Sequence, residues 1–171
     1  MILTADAIDR GVRSGRIEID PYEPSNLNPN SYDVRLGPKL LRYTDDTVDP
    51  KVRNETEEVP LPPGGLVLPA GSFQVGHIAE WIGTDHFVPL LHAKPEVAAL
   101  GLFVHVTANL IDIGNRCNFS LHLHAARRVR LRVGMVVGEV SFWRVQGKID
   151  LYRGKYLGMR GPAASRSYRH F

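Results

Sequence analysis

The chain has 171 residues, 43% apolar and 23% charged, with a net charge of +3 and an isoelectric point near 9.2. This balance fits one globular domain with a sizeable core and excludes a disordered chain. No apolar run approaches the roughly eighteen residues that span a bilayer, and the lone Cys117 excludes an internal disulfide framework.

The opening residues, MILTADAIDRGVRSG, lack the basic-then-apolar layout of a signal peptide. Together with the single cysteine, this points to a reducing cytoplasm. Thr4 is placed as the N-cap of a short helix, with Ile8 and Val12 on one face and Gly15 as its stop. Ile17 and Ile19 alternate with charged residues as a brief strand. Pro21 to Pro29 reads as an irregular loop, after which Tyr32, Val34 and Leu36 alternate with Asp33 and Arg35. The polar, acidic stretch from Thr44 to Thr56 reads as an exposed loop or hairpin tip.

From Val59 onward, short strands are separated by glycine and proline turns, the spacing of a sandwich or barrel. The turns are Pro62-Pro63-Gly64-Gly65, Pro69-Ala70-Gly71, Gly83-Thr84-Asp85 and Val133-Gly134. Apolar faces are expected from Leu66 and Leu68, Phe73 and Val75, Val88 and Leu90, Phe103, Val129 and Leu131, and Val136, Val140 and Phe142. Lys94 to Leu100 admits a helical turn with Pro95 near its start. The last stretch, from about 155 to 171, is rich in glycine, serine and arginine and reads as a mobile tail on a single domain spanning 1–171.

Basic residues cluster at Arg127, Arg128, Arg130 and Arg132 and in the tail. Such clusters suit a phosphorylated small ligand, nucleic acid, or plain charged strand edges. Aromatic residues do not interleave with the arginine stripe, so base stacking on nucleic acid is not indicated. Cys117 has no ordered base beside it and reads as a small, partly buried residue rather than a nucleophile.

Leu100-Gly101-Leu102, His105-Val106-Thr107-Ala108 and Ile111-Asp112-x-Gly114 resemble the dCTP deaminase branch of the dUTPase superfamily. Other segments resemble it in the same order: the opening LTADAIDRGVRSGRIEIDP, Asn30 to Gly37 (NSYDVRLG), Leu68 to Phe73, Gly134 to Gly138 with Ser141-Phe142, and the ending Lys155-Tyr156 through Arg160-Gly161-Pro162 to Ser165-Arg166-Ser167-Tyr168. The resemblance implies an all-β, distorted jelly-roll fold with a short N-terminal helix, assembled as a homotrimer with sites between subunits. It also implies a deoxynucleoside triphosphate ligand, of pyrimidine type, carrying Mg²⁺ on its phosphates with no protein-bound metal. Ala108, Ile111 and Asp112 then face base and sugar, while Lys94, Tyr152, Lys155 and Arg160 face phosphates.

The chain departs from that family at the residues that carry chemistry. Where the family has an Arg/Lys-Ser-Ser-x-x-Arg loop, this chain reads Lys94-Pro95-Glu96-Val97-Ala98-Ala99. The phosphate-binding hydroxyls and the supporting arginine are therefore gone. Counting forward from Asp112, the family's catalytic glutamate falls at His122, and a tail glutamine is replaced by Met159. Zinc-free hydrolytic deamination needs a base for water and an acid for the departing amine, and one carboxylate can serve both in turn. Histidine shuttles protons but lacks a carboxylate's two oxygens.

Three readings stay open at this point. The chain deaminates dCTP or hydrolyses a related nucleotide, with His122 at the catalytic position. It is a catalytically silent trimer kept for binding, regulation or assembly. Or His92, His105, His122 and His124 converge on a metal that activates water. The last lacks the cysteine pairs of zinc deaminases.

Overall fold

The structure is a computed structural model and describes residues 1–104 and 108–170. The expected N-terminal helix is present as α1 (Ala5–Arg13), with Thr4 extended at its N-cap position and Gly15 at φ +72° just past its end. Ile8 turns inward, and the helix ends where Gly15 takes up the left-handed conformation that costs glycine least.

The rest is strand after strand, as the turn spacing predicts. In chain order they are β1 (Glu18–Asp20), β2 (Leu27–Asn28), β3 (Ser31–Arg35), β4 (Lys39–Tyr43), β5 (Thr56–Pro60), β6 (Leu66–Leu68) and β7 (Phe73–His77). They continue as β8 (Trp81–Gly83), β9 (Val88–Ala93), β10 (Leu102–Phe103), β11 (Arg116–Cys117), β12 (Ser120–Ala125), β13 (Val129–Leu131) and β14 (Val136–Trp143). One helical turn, α2 (Pro95–Ala99), follows β9, with Pro95 at its first position as expected.

Two sheets position the site. The first runs β10-β12-β7-β4-β5, and β4 and β5 form an antiparallel hairpin whose exposed tip is the predicted Thr44–Thr56 stretch. The second runs β2-β3-β14-β9, with β3 carrying the alternation read from sequence: Tyr32 and Val34 are buried, Asp33 and Arg35 half-buried. A single apolar cluster fills the space between the layers, drawing on Ile8, Tyr32, Leu36, Leu40, Phe119, Leu121, Leu123 and Phe142. Each of these large side chains contributes about 1.5–3 kcal/mol by leaving water.

Three expected apolar faces lie elsewhere. In β9 it is Pro89 and Leu91 that are buried, while Val88 and Leu90 are only half-buried. A strand's two-residue period reveals that faces alternate but not which faces inward when both carry apolar groups. Phe73 and Phe103 are 45% and 47% exposed. Val75 is buried but stands outside the core cluster, lining a cavity with Phe73 instead.

Candidate functional site

The site is built on β12. Its alternation sends Leu121, Leu123 and Ala125 into the core and leaves Ser120, His122 and His124 on the opposite face. β12 pairs antiparallel with β7, setting His122 opposite Val75 and His124 opposite Phe73, while β10 sets Phe103 opposite His124. The rings answer that register. Phe73 stacks on His122 with centroids 6.3 Å apart and planes inclined by 14°, and Phe103 stacks on His124 at 6.0 Å and 28°. Offset stacking of this kind stabilises a ring pair beyond its area burial.

Above Phe73, Val75, Ser120 and His122 lies an open cavity of about 530 Å³. Ala108, Ile111 and Asp112 form one wall of it. That stretch is held by backbone hydrogen bonds to β9: the Leu91 amide donates to Asn109 and the Ile111 amide to Pro89, each at 3.0 Å. The chain then turns at Gly114, whose φ of +88° and close approach to Leu151 leave no room for a Cβ.

The opposite wall comes from the tail. Tyr152, Tyr156, Met159, Ala163 and Ser165 line the cavity, with Tyr43 of β4 beside them. The segment read from sequence as mobile, and Tyr152 just before it, are joined to the body by hydrogen bonds. The Tyr152 amide donates to the Ile113 carbonyl (2.8 Å), Gly161 to the Asn118 side-chain oxygen (3.2 Å), Ala163 to Ser120 Oγ (3.3 Å) and Ser165 to the Tyr43 hydroxyl (2.9 Å). These contacts are polar and largely made by the tail's backbone, so hydropathy carries no trace of them.

Of the residues singled out in the sequence, Ala108, Ile111, Asp112, His122 and Tyr152 come together around this cavity. Lys94, Lys155 and Arg160 are not among its lining residues. Lys94 Nζ, only 14% exposed at its side chain, pairs with Asp33 at 2.9 Å and Glu139 at 3.4 Å. Its hydrogen bond to Asp33 holds the ammonium above its ordinary pKa, so it stays charged and engaged. Lys155 Nζ donates to the Arg166 carbonyl at 2.9 Å and lies over the Tyr156 ring. The Arg160 guanidinium lies 4.4 Å from the Trp81 ring centroid. His105 and Thr107, also marked by the resemblance, lie outside the described residues.

The histidines divide between two sheets. His92 is on β9 and shares a 2.8 Å hydrogen bond with Ser141 Oγ, whereas His122 and His124 are on β12. Among the described residues, no group of three or more His, Cys, Asp or Glu is placed to hold a metal ion. Asp112 is the only carboxylate among the described lining residues. Two cations stand against the tail wall: Lys155 Nζ lies 5.7 Å from the Tyr156 ring centroid, and the Arg166 guanidinium lies 5.8 Å from the same centroid and donates to Met159 Sδ at 3.1 Å.

Cys117 also lines the cavity, but burial pushes its thiol up to about 12, so it stays protonated at neutral pH. Tyr43, Phe73, Asn115 and Tyr156 were not foreseen as lining residues. The sequence alone carries no such signal, since Phe73 alternates with Val75 as a core-facing strand would. Asn115 Oδ1 is buried without a hydrogen-bond donor among the described residues. Behind the site, Arg116 clamps Asp85 through two bonds of 2.8 and 3.0 Å and reaches Glu18 at 3.2 Å, fixing the turn before β12.

In the arginine stripe, Arg130 and Arg132 both donate to the Gly64 carbonyl, at 3.3 and 3.4 Å. Among the described residues no helix is long and apolar enough to cross a membrane.

Comparison with known proteins shows the family and the fold. The family described as dCTP deaminase-like matches residues 2–145. A Clostridium botulinum (strain Alaska E43 / Type E3) protein named "dCTP deaminase, dUMP-forming" is 34% identical over 172 aligned positions, covering 100% of this chain and 99% of its own. A Leptospira biflexa protein (strain Patoc 1 / Ames) of the same name is also 34% identical, covering 100% of this chain and 98% of its own. In fold, the chain is similar to the crystal structure of 2'-deoxycytidine 5'-triphosphate deaminase from Agrobacterium tumefaciens, with a TM-score of 0.65 at 20% identity. That match covers 82% of this chain but 47% of the other, so the chain spans about half the length of that structure. With its all-β, dUTPase-like architecture and a family match across most of its length, the chain belongs to the dCTP deaminase-like family.

Proposed function

We propose that this protein binds a pyrimidine deoxynucleotide in the cavity walled by Ala108, Ile111, Asp112, Tyr152 and His122, and that it serves deoxynucleotide metabolism in the cytoplasm as a homotrimer. The observation that carries the reading is the stacked Phe73–His122 pair in a cavity also walled by Asp112. A thin heterocycle suits an aromatic-lined cleft. The named relatives start from dCTP and form dUMP, a conversion that removes an amino group and shortens the phosphate chain. By the same resemblance, Mg²⁺ would travel on the ligand's phosphates.

Binding is the function the site supports best, because the family's glutamate position is His122 and Asp112 is the sole carboxylate among the described lining residues. Turnover is the second reading. It is favoured by His122 sharing the cavity with Asp112, which puts a proton carrier and a carboxylate within one pocket.

Purified protein is incubated with each deoxynucleoside triphosphate and Mg²⁺, with products followed by chromatography and thermal shifts recorded in parallel. A shift with pyrimidine ligands and not with purine ones supports the proposal, and no shift with any pyrimidine overturns it. Ammonia release that His122→Ala abolishes would move the conclusion to the second reading. Metal analysis of the same sample tests the metal-centred alternative.

A further inference from the structure

The arginine stripe is no part of the cavity wall: none of Arg127, Arg128, Arg130 and Arg132 is among the residues lining it. Along β13 the buried Val129 and Leu131 alternate with exposed arginines at 128, 130 and 132. Side chains two residues apart on a strand share a face and stand roughly 7 Å apart, so Arg128, Arg130 and Arg132 form one outward row.

Glycine holds the row in place. β13 pairs with β6, setting Arg130 opposite Val67. Arg130 and Arg132 both donate to the Gly64 carbonyl, at 3.3 and 3.4 Å. Gly65 lies against their stems: a Cβ there would come 3.2 Å from Arg130 Cγ, 3.1 Å from Arg132 Cγ and 2.5 Å from the Leu131 carbonyl oxygen. Two like charges are thus drawn to one oxygen, leaving the other N–H donors of each guanidinium for a further acceptor.

That acceptor does not come from the ribbon itself. From Val59 to Ala79 and from Ile113 to Gly138, the stretches that contain β6 and β13, the sequence has no aspartate or glutamate. Among the described residues, none of the four arginines forms a salt bridge. A small phosphorylated ligand is held best in a concave cleft, whereas this row is exposed strand surface. Phosphates in series match both the row and its spacing. Arginine forks also bind phosphate bidentately, where an edge that only needs charge is served as well by lysine.

We infer that the β6–β13 ribbon is a docking surface for nucleic acid, holding the phosphates of one strand through Arg128, Arg130 and Arg132. Contacts confined to phosphates fix position without reading base sequence. No aromatic residue lies between Val59 and Ser72 or between Ala125 and Ser141, so bases find no stacking platform there.

Fluorescence anisotropy on the full chain with a labelled oligodeoxyadenylate of about 20 nucleotides tests it, a purine strand being chosen to avoid the pyrimidine cavity. Binding is expected at about 1–100 µM in about 50 mM salt, with log K falling against log salt at a slope of about −2 or steeper, the value for three phosphates on a single strand. Saturating deoxycytidine is expected to leave it unchanged.

Arg130→Gln combined with Arg132→Gln should weaken binding at least about tenfold and flatten the slope by about 1.4. Arg128→Gln leaves both Gly64 bonds intact and should flatten it by about 0.7, so it carries the test if the double variant does not fold. No binding at the lower salt, binding that these variants leave unchanged, or binding displaced by deoxycytidine would overturn the inference. Equal competition by polyglutamate would overturn it in favour of an acidic protein. Self-association lost in the variants by sedimentation would overturn it in favour of a carboxylate face on a second copy.

Discussion

Phe73 and His122 lie face to face, 6.3 Å between ring centroids and 14° between planes, on neighbouring strands that also place Val75 directly opposite His122. This pairing lays the His122 imidazole against the Phe73 ring on the cavity floor. It also explains why Phe73 is left 45% exposed rather than turned into the core.

Phe73→Leu keeps an apolar side chain but removes the ring. Stacking of this kind is worth about 0.5–1.5 kcal/mol, so pyrimidine affinity is expected to fall about three- to tenfold. Chemical denaturation should change little, because the ring is half in solvent. Unchanged affinity by calorimetry would show that Phe73 does not support the ligand.

The fold depends on a second relationship, between Arg35 and Glu80. The Glu80 side chain is 0% exposed; it accepts from the Arg35 backbone amide at 3.0 Å and from Arg35 Nε at 2.7 Å. Glu80→Ala leaves an amide and a guanidinium without partners and is expected to cost about 3 kcal/mol or more in urea unfolding. Glu80→Gln retains an acceptor and should cost roughly half as much. Equal stability of the two variants would show that shape rather than hydrogen bonding matters there.

His77 confers an acid-sensitive component. It is 6% exposed, and its Nδ1 lies 2.8 Å from the Ile78 carbonyl, which makes Nδ1 the donor; Nε2 has no partner among the described residues. Burial holds its pKa below the ordinary 6.5, so the unfolded chain takes up a proton before the folded one does. Stability from this group is therefore full above pH 6.5 and declines as pH falls through 6.5 toward the folded value, at no more than about 1.4 kcal/mol per pH unit. His77→Phe is expected to flatten this limb of a stability-versus-pH curve.

The same ring sets the tolerance of Gly37. A Cβ on Gly37 would lie 2.1 Å from His77 Cε1, so Gly37→Ala is expected to destabilise by about 1–3 kcal/mol. Combining it with His77→Ala should cost less than the sum of the two single changes, because the clash and the cavity relieve each other. Strict additivity in a double-mutant cycle would contradict the contact.

Truncation before Arg160 removes the tail residues that bond to Asn118, Ser120 and Tyr43. The core cluster draws almost nothing from this segment, so the melting temperature is expected to fall by only a few degrees. Ligand affinity should drop by more than tenfold, since Ala163 and Ser165 form part of the cavity wall. Retained affinity would show that the tail covers the cavity without contributing to it.

Much of this was legible in the chain. The alternation of Tyr32, Val34 and Leu36, the helix ending at Gly15 and the hairpin around Thr44–Thr56 each follow from local periodicity and turn chemistry, which act over a few residues. The segment holding Ala108, Ile111, Asp112 and His122 was marked by its motif, and these side chains do meet in one cavity.

The amino-acid sequence by itself determined the all-β class and the strand spacing, because those depend only on residue type and separation along the chain. The tertiary structure alone decided where the cations went and which faces turned outward. Lys94 meets Asp33 across 61 residues and Arg35 meets Glu80 across 45, and no local pattern specifies partners at such distances. Phe73, Phe103 and the tail followed the same rule. Their sites were set by which neighbouring strand or side chain could satisfy them once the core had formed, and the balance of charge around the cavity was settled by that packing.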